Sequence, residues 1–173
     1  MGIKAVKKID FDKVVNIKFD NILIGFDNYS FIELTPKKGK PFNMIEEDFI
    51  RTFESYFNEV SFESRLLIDF YKHRLNEESI KIIESNLNIK EQELLHNILN
   101  EGDKDDIYFE VRDKNYIKLL VKLCTRELFF VTFYFTKDQL TIWGNYNLRF
   151  PIFYNKSSNI NEYLEIAKSN DLF

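Results

Sequence analysis

Two histidines, one cysteine and a short run of aspartates are the residues of this 173-residue chain whose types could do chemistry unaided. A metal centre needs three or four ligands at suitable spacing, and no His-x3-His or Cys-x2-Cys pattern supplies them. His73 reads instead as a cation in the last turn of a helix, where the macrodipole favours it, and His96 as an internal helical residue. No metal and no cofactor is expected. Cys124 would need a base or a helix N-terminus beside it to form a reactive thiolate; at the end of a hydrophobic run it reads as a small buried apolar residue. Asp103, Asp105 and Asp106 place three hard oxygen ligands within four residues, the kind of donor that Mg²⁺ or Ca²⁺ takes. A calcium loop would continue with Gly at its sixth position and Glu at its twelfth. This one runs into IYFEV, so a solvated turn is expected. With five glycines in the whole chain, a backbone cradle for phosphate is hard to build, and neither a phosphate-binding loop nor a Gly-x-Ser-x-Gly elbow is present.

Charge is the second signal. The formal net charge of −4 conceals a gradient: residues 43–106 are strongly acidic and both flanks are weakly basic. An acidic lobe speeds the capture of a cationic partner and helps occlude its active groove. Glu46, Glu47, Asp48, Glu54, Glu77, Glu78 and the loop Asp103, Asp105, Asp106 are therefore the candidate partner-binding residues. With no catalytic motif in sight, the expectation is a non-catalytic protein-binding protein. Its sharpest form is a bacterial immunity-type inhibitor that neutralises a cognate basic toxin or enzyme. The alternative is a small-ligand-binding protein, or a motif-poor enzyme, with an aromatic-lined pocket between sheet and helices. Its lining would be Tyr134, Trp143 and Tyr146, with Glu110 or Asp113 as the carboxylate base. A cavity with a buried, pKa-shifted carboxylate would favour the ligand site, whereas a flat or convex acidic patch would favour the inhibitor.

The stretch from Phe129 to Tyr154 is dense in aromatics. With Lys118, Lys122, Arg126, Lys137 and Arg149 it could form a stacking platform for single-stranded nucleic acid. The pI of about 5.3 opposes phosphate binding, and Phe129, Val131, Phe133 and Phe135 alternate as a core-facing strand should, so no nucleic-acid partner is expected. The other face of that strand, carrying Phe130, Thr132, Tyr134 and Thr136, has the amphipathic composition that recurs at interfaces.

These residues must be positioned by elements whose periods can be read. Val15, Ile17 and Phe19, a break at Asp20-Asn21, then Ile22, Ile24 and Phe26 predict a hairpin, and SFIELT from Ser30 a third strand. The period then becomes helical. One stripe runs from Ile45 to Val60, a second from Phe62 to Leu75, a third through Ile80, Ile83 and Leu87, and a fourth from Leu94 to Leu99. Asn-x-x-Glu at Asn43/Glu46, Asn88/Glu91 and Asn159/Glu162 predicts capping boxes, and Gly102 a C-terminal cap. Strands are predicted over Ile107–Val111, Tyr116–Cys124, Leu128–Thr136, Leu140–Tyr146 and Leu148–Tyr154, then a helix from Ile160 to Lys168. The order of elements predicts a single α+β domain over residues 1–173. Its antiparallel sheet would be an N-terminal meander plus a C-terminal aromatic-rich meander, packed against about four central helices with one more at the C-terminus.

With one cysteine, no intramolecular disulfide can form. MGIKAVKKIDFDK has no apolar run of signal-peptide length, and no stretch approaches the roughly 18 apolar residues a spanning helix needs. The expectation is a cytoplasmic protein with no membrane partner. Only two alanines alongside abundant Ile, Asn, Lys and Phe suggest AT-rich coding and a bacterial source.

Overall fold

The computed structural model describes residues 2–60 and 65–173. The α+β class is correct: among the described residues seven α-helices accompany a seven-stranded antiparallel sheet, with a helix at the C-terminal end. In chain order the strands are β1 (Ile3–Val6), β2 (Ser30–Leu34), β3 (Leu66–Asp69), β4 (Tyr108–Val111), β5 (Thr132–Phe135), β6 (Leu140–Trp143) and β7 (Phe150–Tyr154). Their spatial order is β1-β4-β3-β5-β6-β7-β2. The predicted C-terminal meander is present as β5-β6-β7.

Period-two alternation sorts the two faces. Ile3, Leu34, Leu66, Ile68, Phe109, Phe133, Phe135, Leu140, Ile142, Phe150 and Ile152 share the main core. They meet α3 (Phe42–Ser55, continued by a π-helical turn Tyr56–Val60), α5 (Ile89–Asn100), α6 (Asn115–Thr125) and α7 (Asn161–Ser169). Short α4 (Glu77–Ser85) adds Ile83. The Asn88/Glu91 capping box that opens α5 forms as expected, each side chain bonding the other residue's backbone amide. Just beyond α5, Gly102 adopts φ 68°.

The N-terminal meander is not formed. Only β2 of its three strands exists; β1 and β2 lie at opposite edges of the sheet, and residues 7–29 between them form a strap across its second face. That crossing is roughly 30 Å at the usual strand spacing. Three aromatic side chains fasten it. Phe11, on α1 (Lys8–Val14), stacks on Tyr108 at 3.7 Å; Phe19 stacks on Trp143 at 5.3 Å; Phe26, on α2 (Ile22–Asn28), meets Phe31 at 4.6 Å. Ile22–Asn28 is helical because the Asn21 side chain accepts a hydrogen bond from the Leu23 amide, a capping signal that outweighs the apparent alternation. Gly25 presses against Phe19 and Phe153, where an added Cβ would come within 2.5 Å of the Phe19 ring.

Three further expectations are corrected. The second helical stripe contains β3 instead: Leu66, Leu67, Ile68 and Asp69 are all buried, so a central strand covered on both faces shows no alternation. Phe62 of that stripe lies outside the described residues. Tyr116–Cys124 is helix α6, not a strand. Nine of its residues are buried; its polar positions Asn115, Lys118, Lys122 and Thr125 recur at the three- and four-residue spacing of a helix, a period hidden by the apolar runs between them. Asn43 and Asn159 cap nothing: α3 starts after Pro41 and α7 after Ile160, neither with a side-chain cap.

Candidate functional site

The strap does not seal the second face. Between Phe19-Asp20 and the end of β3 it leaves a cleft of two adjoining chambers, of about 240 and 210 Å³, both bounded by Asp20 and Tyr71. Asp69 lines the floor of the first chamber and is 4 % exposed. Its placement follows from where β3 ends. The β3–β5 ladder stops at Ile68–Phe133, and the Phe70 amide turns to the Ile107 carbonyl. The Thr132 amide, left without a ladder partner, donates to Asp69 Oδ1 at 2.7 Å. The Tyr134 hydroxyl donates to Oδ2 at 3.1 Å.

With a further bond from the Thr132 side chain, the carboxylate still keeps acceptor capacity, since its two oxygens offer about four lone-pair sites. Burial dominates the carboxyl's titration and raises it to about 6, against the opposing hydrogen bonds from Thr132 and Tyr134. Burial, and then the charge of Asp69, push the Tyr71 hydroxyl up to about 12; Tyr108 rises to about 12 for the same two reasons.

The walls are aromatic. Trp143 and Tyr146 line the first chamber, and Tyr108 and Tyr134 the second. Tyr146 is 59 % exposed and meets Phe130 edge-on at 4.6 Å. Gly144 follows Trp143 at a point where an added Cβ would lie 2.7 Å from Cys124 Sγ and 2.8 Å from the Val131 carbonyl. Only glycine lets the chain bend there and present the indole. The Arg74 guanidinium lies 4.3 Å above the Tyr71 ring at the rim.

Of the residues expected to line a pocket, Tyr134, Trp143 and Tyr146 come together here. The pocket lies under the strap, on the opposite face from the main helical layer. The expected bases do not join them. Glu110 is held by Arg65 at 3.2 Å and Arg112 at 2.8 Å; burial works upward on its pKa, but those two guanidinium groups bring it below the ordinary value. Asp113 accepts from the Asn115 amide at the start of α6. The carboxylate in the cleft is Asp69, which sequence reasoning had placed inside a helix. Its signal was a short unbroken apolar run, Leu66-Leu67-Ile68, closed by an acid.

The acidic candidates divide. Glu46 is buried and bidentate to Arg126, both bonds 2.7 Å. Asp48, 2 % exposed, holds Lys40 and Arg51. Asp103 and Asp106 both bind Lys7, and Asp106 also accepts from the Asp103 amide. These four are spent on intramolecular contacts. Glu47, Glu77, Glu78 and Asp105 are exposed and Glu54 is half-buried, with no hydrogen bond or ion pair of their side chains among the described residues. Three of the five cations of the imagined nucleic-acid platform are similarly occupied, Lys122 by Glu91, Arg126 by Glu46 and Arg149 by Glu33.

Cys124 is buried, and burial raises its thiol to about 12, far from thiolate chemistry. His96 bonds Glu84 at 2.6 Å and His73 is exposed. Among the described residues no group of three His, Cys, Asp or Glu could hold a metal ion, and no helix is long and apolar enough to cross a membrane. No protein-family model, no curated protein and no solved structure matches the chain. Function is therefore argued from the cleft.

Proposed function

We propose that this is a small-ligand-binding protein of the cytosol whose site is the cleft between the strap and the sheet. One observation carries the reading: a buried carboxylate, Asp69, opens with spare acceptor capacity into an aromatic-walled cavity. Ligand sites combine apolar walls with a few convergent polar groups and a perturbed titratable residue, and the cleft has each of these. The test is native mass spectrometry and thermal shift against a metabolite library. A ligand that raises the melting temperature of the native protein, and does so at least about tenfold less potently with Asp69→Asn, supports the reading. Ligands that bind both forms equally overturn it.

The second reading, capture of a basic toxin or enzyme, is favoured by the unpartnered carboxylates Glu47, Glu54, Glu77, Glu78 and Asp105. It is weakened by the internal pairing of Glu46, Asp48, Asp103 and Asp106. Affinity capture of one basic protein, with binding that falls as salt rises, would support it.

A further inference from the structure

Buried carboxylates in this protein generally hold a cation: Glu46 has Arg126, Asp48 has Lys40 and Arg51, and Glu91 has Lys122. Asp69 is as deeply buried as these, yet its hydrogen bonds run to neutral groups, the amide and side chain of Thr132 and the Tyr134 hydroxyl. Asp138 also lacks a cation, but its carboxylate faces the Tyr163 hydroxyl, and it is not among the residues lining the cleft. Asp69 is thus the buried carboxylate that opens into the cleft with no cation bonded to it; Arg74, at the rim of the same chamber, acts on it only at longer range. Buried charges are paired in stable proteins, and an open chamber above the unpaired one is room for the missing partner.

The surroundings suit a cation. Asp20, exposed and without a partner among the described residues, borders both chambers. The Arg74 guanidinium is already held over the Tyr71 ring, and such an aromatic face attracts an ammonium group in the same way. The lysines of the second chamber, Lys8 and Lys18, share Asp12, and the one positive charge left over is matched by Asp20 at the border, so they do not make the cleft an anion site. We infer that the ligand is a small organic amine, its protonated nitrogen bound between Asp69 and Asp20 and its body stacked on Trp143. This rests on the ligand-binding reading above and narrows it to one chemical class. At about 240 Å³ the first chamber admits a body the size of a single aromatic ring with a short chain.

Trp143 is the sole tryptophan, so its fluorescence reports on the cleft directly. The probes are tyramine, its neutral analogue 4-ethylphenol and its anionic analogue 3-(4-hydroxyphenyl)propionate, each titrated into the whole protein. Tyramine is expected to change Trp143 emission saturably, about tenfold or more tighter than either analogue. Asp69→Asn should erase that preference, and Asp20→Asn, at an exposed position where folding is not at risk, should reduce it about threefold. If the phenol or the propionate binds as tightly as tyramine, the amine assignment is wrong while the cleft remains a ligand site. If none of the three changes Trp143 emission, the amine assignment and the ligand-binding reading both fall.

Discussion

The two faces of the sheet are made by the same strands and solve different problems. The helical face is dry: Phe53, Phe133, Phe135 and Phe150 are essentially inaccessible, and at its edge the Tyr56 hydroxyl donates to the Tyr163 carbonyl at 2.9 Å. The strap face adds polar contacts to its aromatic fastenings. The Thr141 hydroxyl donates to the Ile17 carbonyl, the Gln139 side-chain amide donates to the Val14 carbonyl, and the Asn16 amide donates to Gln139 Oε1. A helix layer buries a sheet face continuously, whereas a single strap covers it in patches. The cleft opens beside Phe19-Asp20, and there Asp69 is found. Packing dominates where two layers meet, and function is easiest to seat where the second layer is incomplete.

That contrast can be broken by mutation. The largest effect is expected on the helical face: Phe133→Ala should cost about 3–5 kcal/mol in urea denaturation, and Phe19→Ala on the strap clearly less, since Phe19 is only half-buried. Equal costs would mean that the strap is as much a core as the helices are.

Next is a pH effect special to the strap face. The folded state holds the Asp69 proton up to about pH 6, against an ordinary value of 3.8. The favourable contribution of this group is therefore complete below about pH 4 and lost as pH rises through 6, a change of about 3 kcal/mol. Paired carboxylates such as Glu110 and Asp106, lowered in the folded state, work in the opposite direction. The measurement is thus the wild-type stability curve minus that of Asp69→Asn: the difference should slope downward between pH 4 and 6.5, and a flat difference would refute the assignment.

At the rim of the helical face, Arg126→Met leaves Glu46 buried with only the Thr125 hydroxyl as partner. A loss of about 2–3 kcal/mol is expected, restored in large part by adding Glu46→Gln. Removing the α5 cap with Asn88→Ala should cost about 1 kcal/mol, visible as a small fall in the denaturation midpoint. Smallest is Glu77→Gln with Glu78→Gln. These acids occupy the first turn of α4, so their loss should change stability by only about 0.5 kcal/mol. A large change would reveal contacts on that side that the comparison of faces omits.

How much of this was legible can be stated residue by residue. The cap of α5 is readable because both partners lie within four residues. The β5-β6-β7 meander is readable because each strand has one face toward the core and one toward the strap. Tyr134, Trp143 and Tyr146 were identified as a group for that reason. Strand β3 is illegible because burial on both faces erases its alternation, whereas helix α6 keeps a helical spacing of Asn115, Lys118, Lys122 and Thr125 that its apolar runs disguise. The strap was misread because its apolar residues alternate as they would in a strand, while what they meet is a sheet face and not a neighbouring strand.

Local pattern alone determined the fold class, the impossibility of an internal disulfide, the capped helix and the aromatic meander, because each depends on neighbours in the chain or on composition. Tertiary structure alone decided which carboxylates are free and which chemistry they can do. Asp69 meets Thr132 across 63 residues, and Glu46 meets Arg126 across 80. A charge gradient counted along the chain cannot distinguish an acid facing solvent from one neutralised by a distant guanidinium, because desolvation and pairing are properties of position in space.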